Sequence, residues 1–429
     1  RAIERNVRRR RLESDRWTRS QKKASEGYTA ELFATLLPDA EIIIDAHYWA
    51  KDGNETKWTD CDVLAIFCRR LFVIEVKAGR YTHKPPGKKI RDHRKSLKEL
   101  IENAAKQANR LVENLLAGGT LEILNAKQEV QFVLDSSAID TITRCCVSLD
   151  CIGDIASRSE DLALIGVDIG ENPIWTLSIS DLMVYADIFT NPLIFIDYVD
   201  ERMRAFASPK CHVSDELDHL GLYLEHNRYA NLSEQFKAGS VENWTGYRDR
   251  LDRYYAKVWR GEEATLPSQQ MPKWLSQILE HLSESRNPDR CRIAIRLLEI
   301  DGETRCLTGE MIRKSQLAQC ESGRVRPVNS QGDVRFTFLV NANGVNNPMT
   351  YEDARNHTLD VIGLENEKDR VLFYLTCSED GTITDLACEI LDHQQFLRID
   401  AEERSTRVTR LASLRAKLSQ TDIYRFNSN

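Results

Sequence analysis

Two neighbouring apolar segments end in charged residues that could act together. The segments at 62–67 and 71–76 are rich in Val, Ile, Leu and Phe, which predicts two strands. Residues two apart share a face of a strand, so Glu75 and Lys77 project together. A two-residue turn between the segments would pair positions whose numbers sum to 137. That register sets Asp62 opposite Glu75, with Cβ atoms about 5 Å apart.

The carboxylate pair restricts the chemistry of this hairpin. Two carboxylates this close repel each other unless they share a proton or hold a cation. An all-oxygen site with room for water suits Mg²⁺ or Mn²⁺. Such a metal can polarise a phosphoryl oxygen and generate hydroxide, while Lys77 orients the water or stabilises the extra negative charge. The sequence therefore predicts metal-dependent hydrolysis of phosphodiester bonds.

Two alternatives remain open at the hairpin. Its charges could be gatekeepers that protect a sheet edge from aggregation, although the paired Asp62 and the basic segment after Lys77 favour a catalytic site. Asp60 lies two residues before Asp62 on the same strand face and could take its role. The apolar run that starts at Val63 favours Asp62.

Positive charge is concentrated in two segments of an acidic chain. Residues 1–23 hold ten Lys and Arg against three Asp and Glu, whereas the remainder holds 49 against 63, for a net charge of −7. Residues 77–98 hold nine basic residues and one acid. This pattern is typical of phosphate binding, although a solvated helix face or a contact with an acidic partner would also explain it. The candidate nucleic-acid-binding residues are Arg80, Lys84, Lys88, Lys89, Arg91 and Arg94. His83 and His93 could also contact phosphate, but exposed histidines in a basic loop are usually solvated.

The apolar periodicity of the first half predicts an α/β domain. It indicates a helix over 24–37, a strand over 41–46 and a helix over 95–117 that ends at Gly118. Further predicted elements are strands at 130–134, 144–149 and 174–177 and helices at 179–189 and 191–207. We expect a mixed sheet flanked by helices over residues 24–210, preceded by the basic arm 1–23.

The second half has a different pattern. Residues 211–290 are mostly helical and would form a connector. The predicted elements beyond it are strands at 291–300, 335–340, 371–376 and 382–391 and a charged helix at 401–418. A C-terminal strand-rich α+β domain is therefore expected over residues 291–429.

Composition limits the class of protein. The chain has 429 residues, 41% hydrophobic and 29% charged, which suggests two or three folded domains. Its apolar stretches are too short for a membrane helix, and no apolar signal segment follows the basic N-terminus. Eleven cysteines without CxxC spacing indicate reduced thiols, so we expect a cytoplasmic protein without membrane contact. A Gly-rich phosphate loop and a G-x-S-x-G elbow are absent, so ATPase and serine-hydrolase functions have no support.

The order of these residues carries a resemblance to a known family. A helix with Glu31, strands with Asp62 and Glu75-Val76-Lys77, and a later helix with Gln107 resemble the PD-(D/E)XK nuclease superfamily. The segments GYTAELFATLL, TDCDVLAIF, LFVIEVKAG and KQANRLVENLL are most similar to its nuclease-related NERD branch. The similarity is good over 24–115 and looser beyond. Ala30 stands where that branch usually has a second glycine, and the basic insert is longer than usual, but neither departure removes a catalytic group.

The resemblance implies a restriction-endonuclease-like fold and a role for each matched residue. Asp62, Glu75 and the Val76 carbonyl would bind Mg²⁺ or Mn²⁺, and Lys77 would position the attacking water. The remaining two assignments are Glu31, as a helix carboxylate that completes the site, and Gln107, which would reach back from the later helix. DNA is the expected substrate, with RNA as a second candidate. The alternative is a catalytically silent nucleic-acid-binding scaffold that keeps the fold.

The remaining residues would regulate such an activity. The two-domain plan is similar to bacterial immune effectors, among them nucleases fused to the APAZ module that partners a short prokaryotic Argonaute, although no motif in 291–429 establishes APAZ. A nuclease with sequence-independent phosphate contacts would damage its host unless it were restrained. We therefore expect an effector of antiviral or anti-plasmid defence, activated through a protein partner such as a guide-bearing short Argonaute and by self-association.

Overall fold

The computed structural model describes residues 14–53, 55–79, 81, 86–152, 157, 159–172, 174–208, 210–234, 242–331, 334–345, 348–418 and 426–427. The chain forms two compact units, Arg1–Gln269 and Gln270–Asn429. The boundary between them falls inside the helical segment 211–290 that the sequence suggests as a connector.

A seven-stranded mixed sheet forms the centre of the first unit. Its strands are β1 (Glu41–Asp52), β2 (Glu55–Phe67), β3 (Arg70–Lys77), β4 (Thr120–Leu124), β5 (Val130–Asp135), β6 (Thr141–Ser148) and β7 (Trp175–Ser178). The spatial order is β5-β4-β1-β2-β3-β6-β7. Neighbours from β5 to β3 are antiparallel, whereas β3, β6 and β7 run parallel. β3 therefore lies at the junction between the antiparallel and the parallel parts of the sheet.

Helices cover the sheet and complete the first unit. They are α1 (Ser14–Leu36), α2 (Pro86–Leu97), a π-helical turn (Lys98–Glu102), α3 (Asn103–Gly118), α4 (Ile179–Ile188), α5 (Pro192–Ala207), α6 (Glu216–His226), α7 (Tyr229–Glu234) and α8 (Asp249–Trp259). Short 3₁₀ segments span Ser136–Ala138 and Ser159–Ile165, and strands β8 (Cys211–Val213) and β9 (Glu242–Trp244) form a small separate sheet.

The alternation of side chains along β3 divides the core into two layers. Leu71 and Val73 pack in a cluster with Ala108, Leu111 and other apolar residues of α3. Phe72 points to the other face, where its ring lies 5.7 Å from that of Phe33 on α1. A strand that is buried on both faces has apolar residues at consecutive positions, as the segment from Leu71 to Ile74 does. The two helices α1 and α3 therefore approach the end of β3 from opposite sides.

The helix predicted over 95–117 starts earlier in the structure and contains a π-helical turn. Helix α2, this turn and α3 follow one another without a gap, and α3 ends before Gly119, whose φ is +74°. A positive φ at this position is what a glycine stop provides. The π-helical turn shifts the phase of the residues that follow it, and such turns are frequent at functional sites.

Buried polar contacts hold α6 in place within the first unit. Arg202 on α5 donates to Glu216 on α6 at 3.0 Å, and both side chains are buried. The Trp175 indole N–H donates to the same carboxylate at 2.7 Å. A buried charge of this kind needs its partner in place, which explains why α6 packs with the first unit.

The second unit combines a five-stranded sheet with helices. Its elements are α9 (Lys273–Glu284), α10 (Arg290–Leu298), α11 (Gly302–Ser322), β10 (Val328–Gln331), β11 (Phe336–Ala342), α12 (Tyr351–Glu365), β12 (Asp369–Cys377), β13 (Ile383–Asp392), α13 (His393–Leu397), α14 (Ala401–Leu418) and β14 (Phe426–Asn427). The strand order is β13-β12-β11-β10-β14. The whole chain is thus a mixed α/β protein, as predicted.

One predicted strand of this unit is wrong. Residues 291–298 of this segment lie in α10 rather than in a strand. The segment is rich in Ile and Leu and short enough to resemble a strand, but Ile293, Ala294, Leu297 and Leu298 are buried at helical spacing. Packing of one helical face outweighed the weak β propensity of the residues.

Candidate active site

The hairpin that carries the candidate residues has the predicted register. All five pairs between β2 and β3, from Phe67 with Arg70 to Val63 with Ile74, sum to 137. Asp62 and Glu75 are the residues that come directly after the last of these pairs. The sequence therefore predicted correctly which strand positions face each other.

Three of the predicted residues meet at the end of β3. Lys77 Nζ donates hydrogen bonds to Glu75 Oε2 at 2.8 Å and to Gln107 Oε1 of α3 at 2.6 Å. Glu75 is only 1% exposed. The lysine is thus held between its own strand and the helix that covers it.

Asp62 joins this group through the backbone of β3. Its Oδ2 accepts a hydrogen bond from the Val76 N–H at 2.8 Å and lies 3.7 Å from Lys77 Nζ. The N–H and C=O of one strand residue point to the same side of the strand, so the Val76 carbonyl also faces β2. Asp62, Glu75, Val76 and Lys77 form one cluster.

Helix α1 adds two residues that the sequence did not assign to the site. Lys22 Nζ lies 3.3 Å from Asp62 Oδ1, 3.4 Å from Glu26 Oε1 and 3.5 Å from Asp60 Oδ2. Glu26 is 6% exposed. Asp60, the alternative to Asp62, therefore lies at the rim beside Lys22, while Asp62 contacts both lysines.

The structure does not bring Glu31 into this cluster. Glu31 is exposed on α1, and its described contact is a backbone one, to the Thr35 hydroxyl. The helix carboxylate beside Asp62 is Glu26, five residues earlier in the chain. The i, i+4 spacing of Lys22 and Glu26 indicates that the two side chains share one helix face. The basic arm 1–23 includes Lys22, so the sequence did not suggest that this residue belongs to the helix of the site.

Carboxyl groups outnumber ammonium groups in the cluster. Burial and then the Asp62 carboxylate raise the pKa of Glu75 to about 8, against the opposing effect of Lys77. Burial and then Asp62 raise the pKa of Glu26 to about 7. Burial alone would lower the pKa of Lys77, but Glu75 and Asp62 outweigh it and the pKa is raised. Carboxylates that resist ionisation beside lysines that hold their protons indicate a site that lacks positive charge.

The same balance governs Lys22. Burial alone would lower its pKa, but Asp62, Glu26 and Asp60 outweigh burial, so its pKa is raised. Two ammonium groups therefore face four carboxyl groups, those of Glu26, Asp60, Asp62 and Glu75. The arrangement can accept a further cation.

The basic segment after β3 is only partly described. Arg80 and Lys84 lie outside the described residues, and the side chains of Lys88 and Lys89 on α2 are not described either. Arg91 and Arg94 are exposed on α2, and Arg94 Nε donates to the Gly166 carbonyl at 3.3 Å.

His93 differs from the expectation of a solvated ring. It is 7% exposed, and its Nδ1 lies 2.7 Å from the Tyr81 hydroxyl. It has a structural partner because α2 extends the helix upstream of the predicted start and brings the ring onto Tyr81. His83 lies outside the described residues.

In the described part of the chain, no group of three or more His, Cys, Asp or Glu side chains is arranged to hold a metal ion. None of the helices in these described ranges is long and apolar enough to cross a membrane. Comparison of the chain with protein-family models, curated proteins and solved structures found no match.

Proposed function

We propose that the first unit is a Mg²⁺- or Mn²⁺-dependent nuclease that hydrolyses phosphodiester bonds in DNA, with RNA as a second substrate. The observation that carries the proposal is the placement of Lys77 Nζ within 2.8 Å of Glu75 Oε2 and 3.7 Å of Asp62 Oδ2. Two carboxylates and a lysine at the end of a strand are the groups that this hydrolysis needs. The resemblance to the PD-(D/E)XK superfamily, and to its NERD branch, agrees with the proposal.

The donor set fits a hard divalent cation. Glu75 Oε1 is buried and has no hydrogen-bond partner among the described residues, an arrangement that normally costs free energy. Asp62, Glu75 and the Val76 carbonyl would hold the ion through oxygen atoms, as Mg²⁺ and Mn²⁺ prefer. When bound, the ion would neutralise charge on the phosphate and lower the pKa of a water molecule.

Lys77 would position the attacking water or a phosphoryl oxygen. An ammonium group has three N–H donors, and two of them are used by Glu75 and Gln107. The third N–H can donate to a reactant. Because both protein partners are themselves held by β3 and α3, the direction of this donor is set before substrate binds.

Glu26 would accept a proton from the attacking water. Its pKa of about 7 is near neutral pH, where a general base is most effective. Lys22 would keep Glu26 close to Asp62, because its ammonium contacts both carboxylates. This role replaces the one that the resemblance implied for Glu31.

The wider function rests on the basic segments and the second unit. We propose that the 1–23 and 77–98 segments bind phosphates without reading sequence. The second unit would dock a protein partner, such as a guide-bearing short Argonaute, and self-association would assemble the active form of a cytoplasmic defence effector. Exposed Leu307 and Leu317 on α11 and Leu414 on α14 are candidate contacts. A fully active monomer that needs neither a partner nor a nucleic-acid trigger would refute this control.

The nuclease proposal is tested with the purified full chain and plasmid DNA, alone and with the product of the neighbouring gene. Cleavage should require Mg²⁺ or Mn²⁺, stop with EDTA and be lost in Lys77→Ala. Lys127→Ala is the matched control, since Lys127 is exposed in the turn between β4 and β5. Cleavage that survives EDTA or Lys77→Ala would remove the mechanism, and binding without cleavage under every condition would favour the silent scaffold.

A further inference from the structure

A cavity of about 460 Å³ lies in the first unit between α1, the end of β6 and the start of α4. Helix α1 contributes Trp17, Ala24, Ser25 and Tyr28 to its wall, and Leu149 and Ile179 line the side that faces the sheet. All the residues that line it are uncharged. Its volume is within the range of small-molecule sites.

The cavity is adjacent to the candidate active site. The N–H of Leu149 donates to the Lys77 carbonyl at 3.1 Å. On the helix side, the Ser25 hydroxyl donates to the Lys22 carbonyl at 2.8 Å. Leu149 and Ser25, which line the cavity, are thus hydrogen-bonded to the backbone of Lys77 and Lys22, the two lysines that face the carboxylates.

The sheet topology places the cavity at a ligand-binding edge. Lys77, Ser148 and Ser178 are neighbours in register at the carboxyl ends of the parallel strands β3, β6 and β7. Leu149 and Ile179 are the residues that follow two of these strands. Crevices outside the carboxyl ends of parallel strands are the usual ligand sites of α/β sheets.

We propose that this cavity binds one nucleobase of the substrate, next to the phosphate that is cleaved. The inference rests on the proposed nuclease function. An uncharged wall offers a phosphate no counter-charge, whereas the aromatic rings of Trp17 and Tyr28 suit a planar base, and stacking of this kind tolerates any base.

A substitution that fills the cavity tests the inference without removing a contact. Ala24 is exposed on the cavity side of α1, so Ala24→Phe should occupy the space while α1 remains helical. The readout is fluorescence anisotropy of a labelled single-stranded oligonucleotide, with the full chain carrying Lys77→Ala so that cleavage does not interfere. We expect Ala24→Phe to weaken binding roughly 5-fold to 100-fold, the effect of losing one stacked base.

Abasic substitutions identify the base. In the chain with Ala24 intact, one abasic position in the oligonucleotide should weaken binding by a similar factor, and Ala24→Phe should abolish that dependence on position. Trp17→Ala should have the same effect as Ala24→Phe, and circular dichroism and the melting temperature verify that both variants fold. Trp259→Ala, which removes an aromatic ring that is 93% exposed on α8, is the control and should bind as the parent chain does.

The outcomes separate this inference from the function on which it rests. Equal affinities for Ala24→Phe and its parent, in a chain whose Lys77 form cleaves plasmid, would overturn the base site and leave the nuclease intact. A chain that neither binds nor cleaves nucleic acid would remove the proposed function and the base site together.

Discussion

Gln107 Oε1 lies 2.6 Å from Lys77 Nζ and joins helix α3 to the end of β3. Glu75 is the other close partner of the ammonium, at 2.8 Å. Lys77 is therefore held by a neutral and a charged acceptor from two different elements. Both interactions restrict the Lys77 ammonium. The Gln107 amide helps to fix the direction of its N–H donors, and the Glu75 carboxylate also stabilises its positive charge.

Loss of the amide should slow hydrolysis without weakening binding. Gln107→Leu keeps an apolar side chain on α3 but removes the acceptor, so the direction of the Lys77 ammonium is no longer fixed. A misplacement of about 1 Å can cost about 100-fold, and we expect kcat to fall roughly 10-fold to 100-fold with little change in KM. Steady-state cleavage of a labelled oligonucleotide measures both constants.

Two further variants give that experiment its controls. Gln107→Glu retains an acceptor and should restore part of the rate lost in Gln107→Leu. Gln131→Leu changes an exposed glutamine on β5 and should leave kcat unchanged. An unaltered kcat in Gln107→Leu would show that Lys77 does not depend on the amide.

The two glutamates of α1 should differ in their effect on cleavage. Glu26→Gln removes a buried carboxylate that shares Lys22 with Asp62, and we expect the rate to fall about 100-fold or more, as for loss of a general base. Glu31→Gln is the matched control, because the same change is made at an exposed position of the same helix. Single-turnover cleavage rates are the measurement, and a larger loss in Glu31→Gln would return the role to the residue that the resemblance implied.

The sequence predicted the hairpin well because its information is local. A two-residue turn at Cys68 and Arg69 and two apolar strands are sufficient to determine which residues face each other, and Asp62 and Glu75 follow from that register. The position of Gln107 beside Lys77 came from the resemblance rather than from any pattern in the residues.

The helix carboxylate was less accessible to sequence reasoning. Which face of α1 meets Asp62 depends on packing against the sheet, as between Phe33 and Phe72, so the i, i+4 spacing of Lys22 and Glu26 does not by itself identify that face. The helix also begins at Ser14, within the segment that its charge suggests is an arm. The predicted strand at 291–300 failed for a related reason, since the tertiary contacts of α10 decide its conformation.

The basic segment should increase the salt dependence of nucleic-acid binding. Each phosphate contact steepens the fall of log affinity with log salt by roughly 0.9 for duplex DNA. Replacing Lys84, Lys88 and Lys89 together by alanine should flatten that slope by roughly 2 to 3. The measurement is binding of duplex DNA over a series of salt concentrations with cleavage blocked by Lys77→Ala.

Lysines with partners in the protein provide the control for that series. Lys95 lies 3.8 Å from Glu99 and Lys98 lies 3.2 Å from Glu102, so their replacement should alter the slope less. An unchanged slope in the triple variant would assign the segment to a protein partner instead of phosphate.

Glu75 should make the metal-free protein less stable as pH rises. Its pKa is raised from 4.5 to about 8 in the folded state, so the folded chain retains a proton that the unfolded chain releases. A group of this kind contributes stability that is complete below about pH 4.5 and is lost as pH rises towards 8. Glu75→Gln cannot lose that proton, so its stability relative to the parent chain should increase by about 1 kcal/mol or more between pH 5 and pH 9.

Urea unfolding in EDTA across that pH range measures the difference. Gln131→Leu, which changes no titratable group at an exposed position, is the control and should show a constant difference. Mn²⁺ should then reverse the order at pH 8, because a cation held by Glu75 stabilises the folded parent chain and has one ligand fewer in Glu75→Gln. A difference between Glu75→Gln and the parent that stays constant with pH would mean that Glu75 is already ionised in the folded protein. In that event the two lysines would be sufficient to balance the carboxylates, and the site would have no electrostatic need for an additional cation.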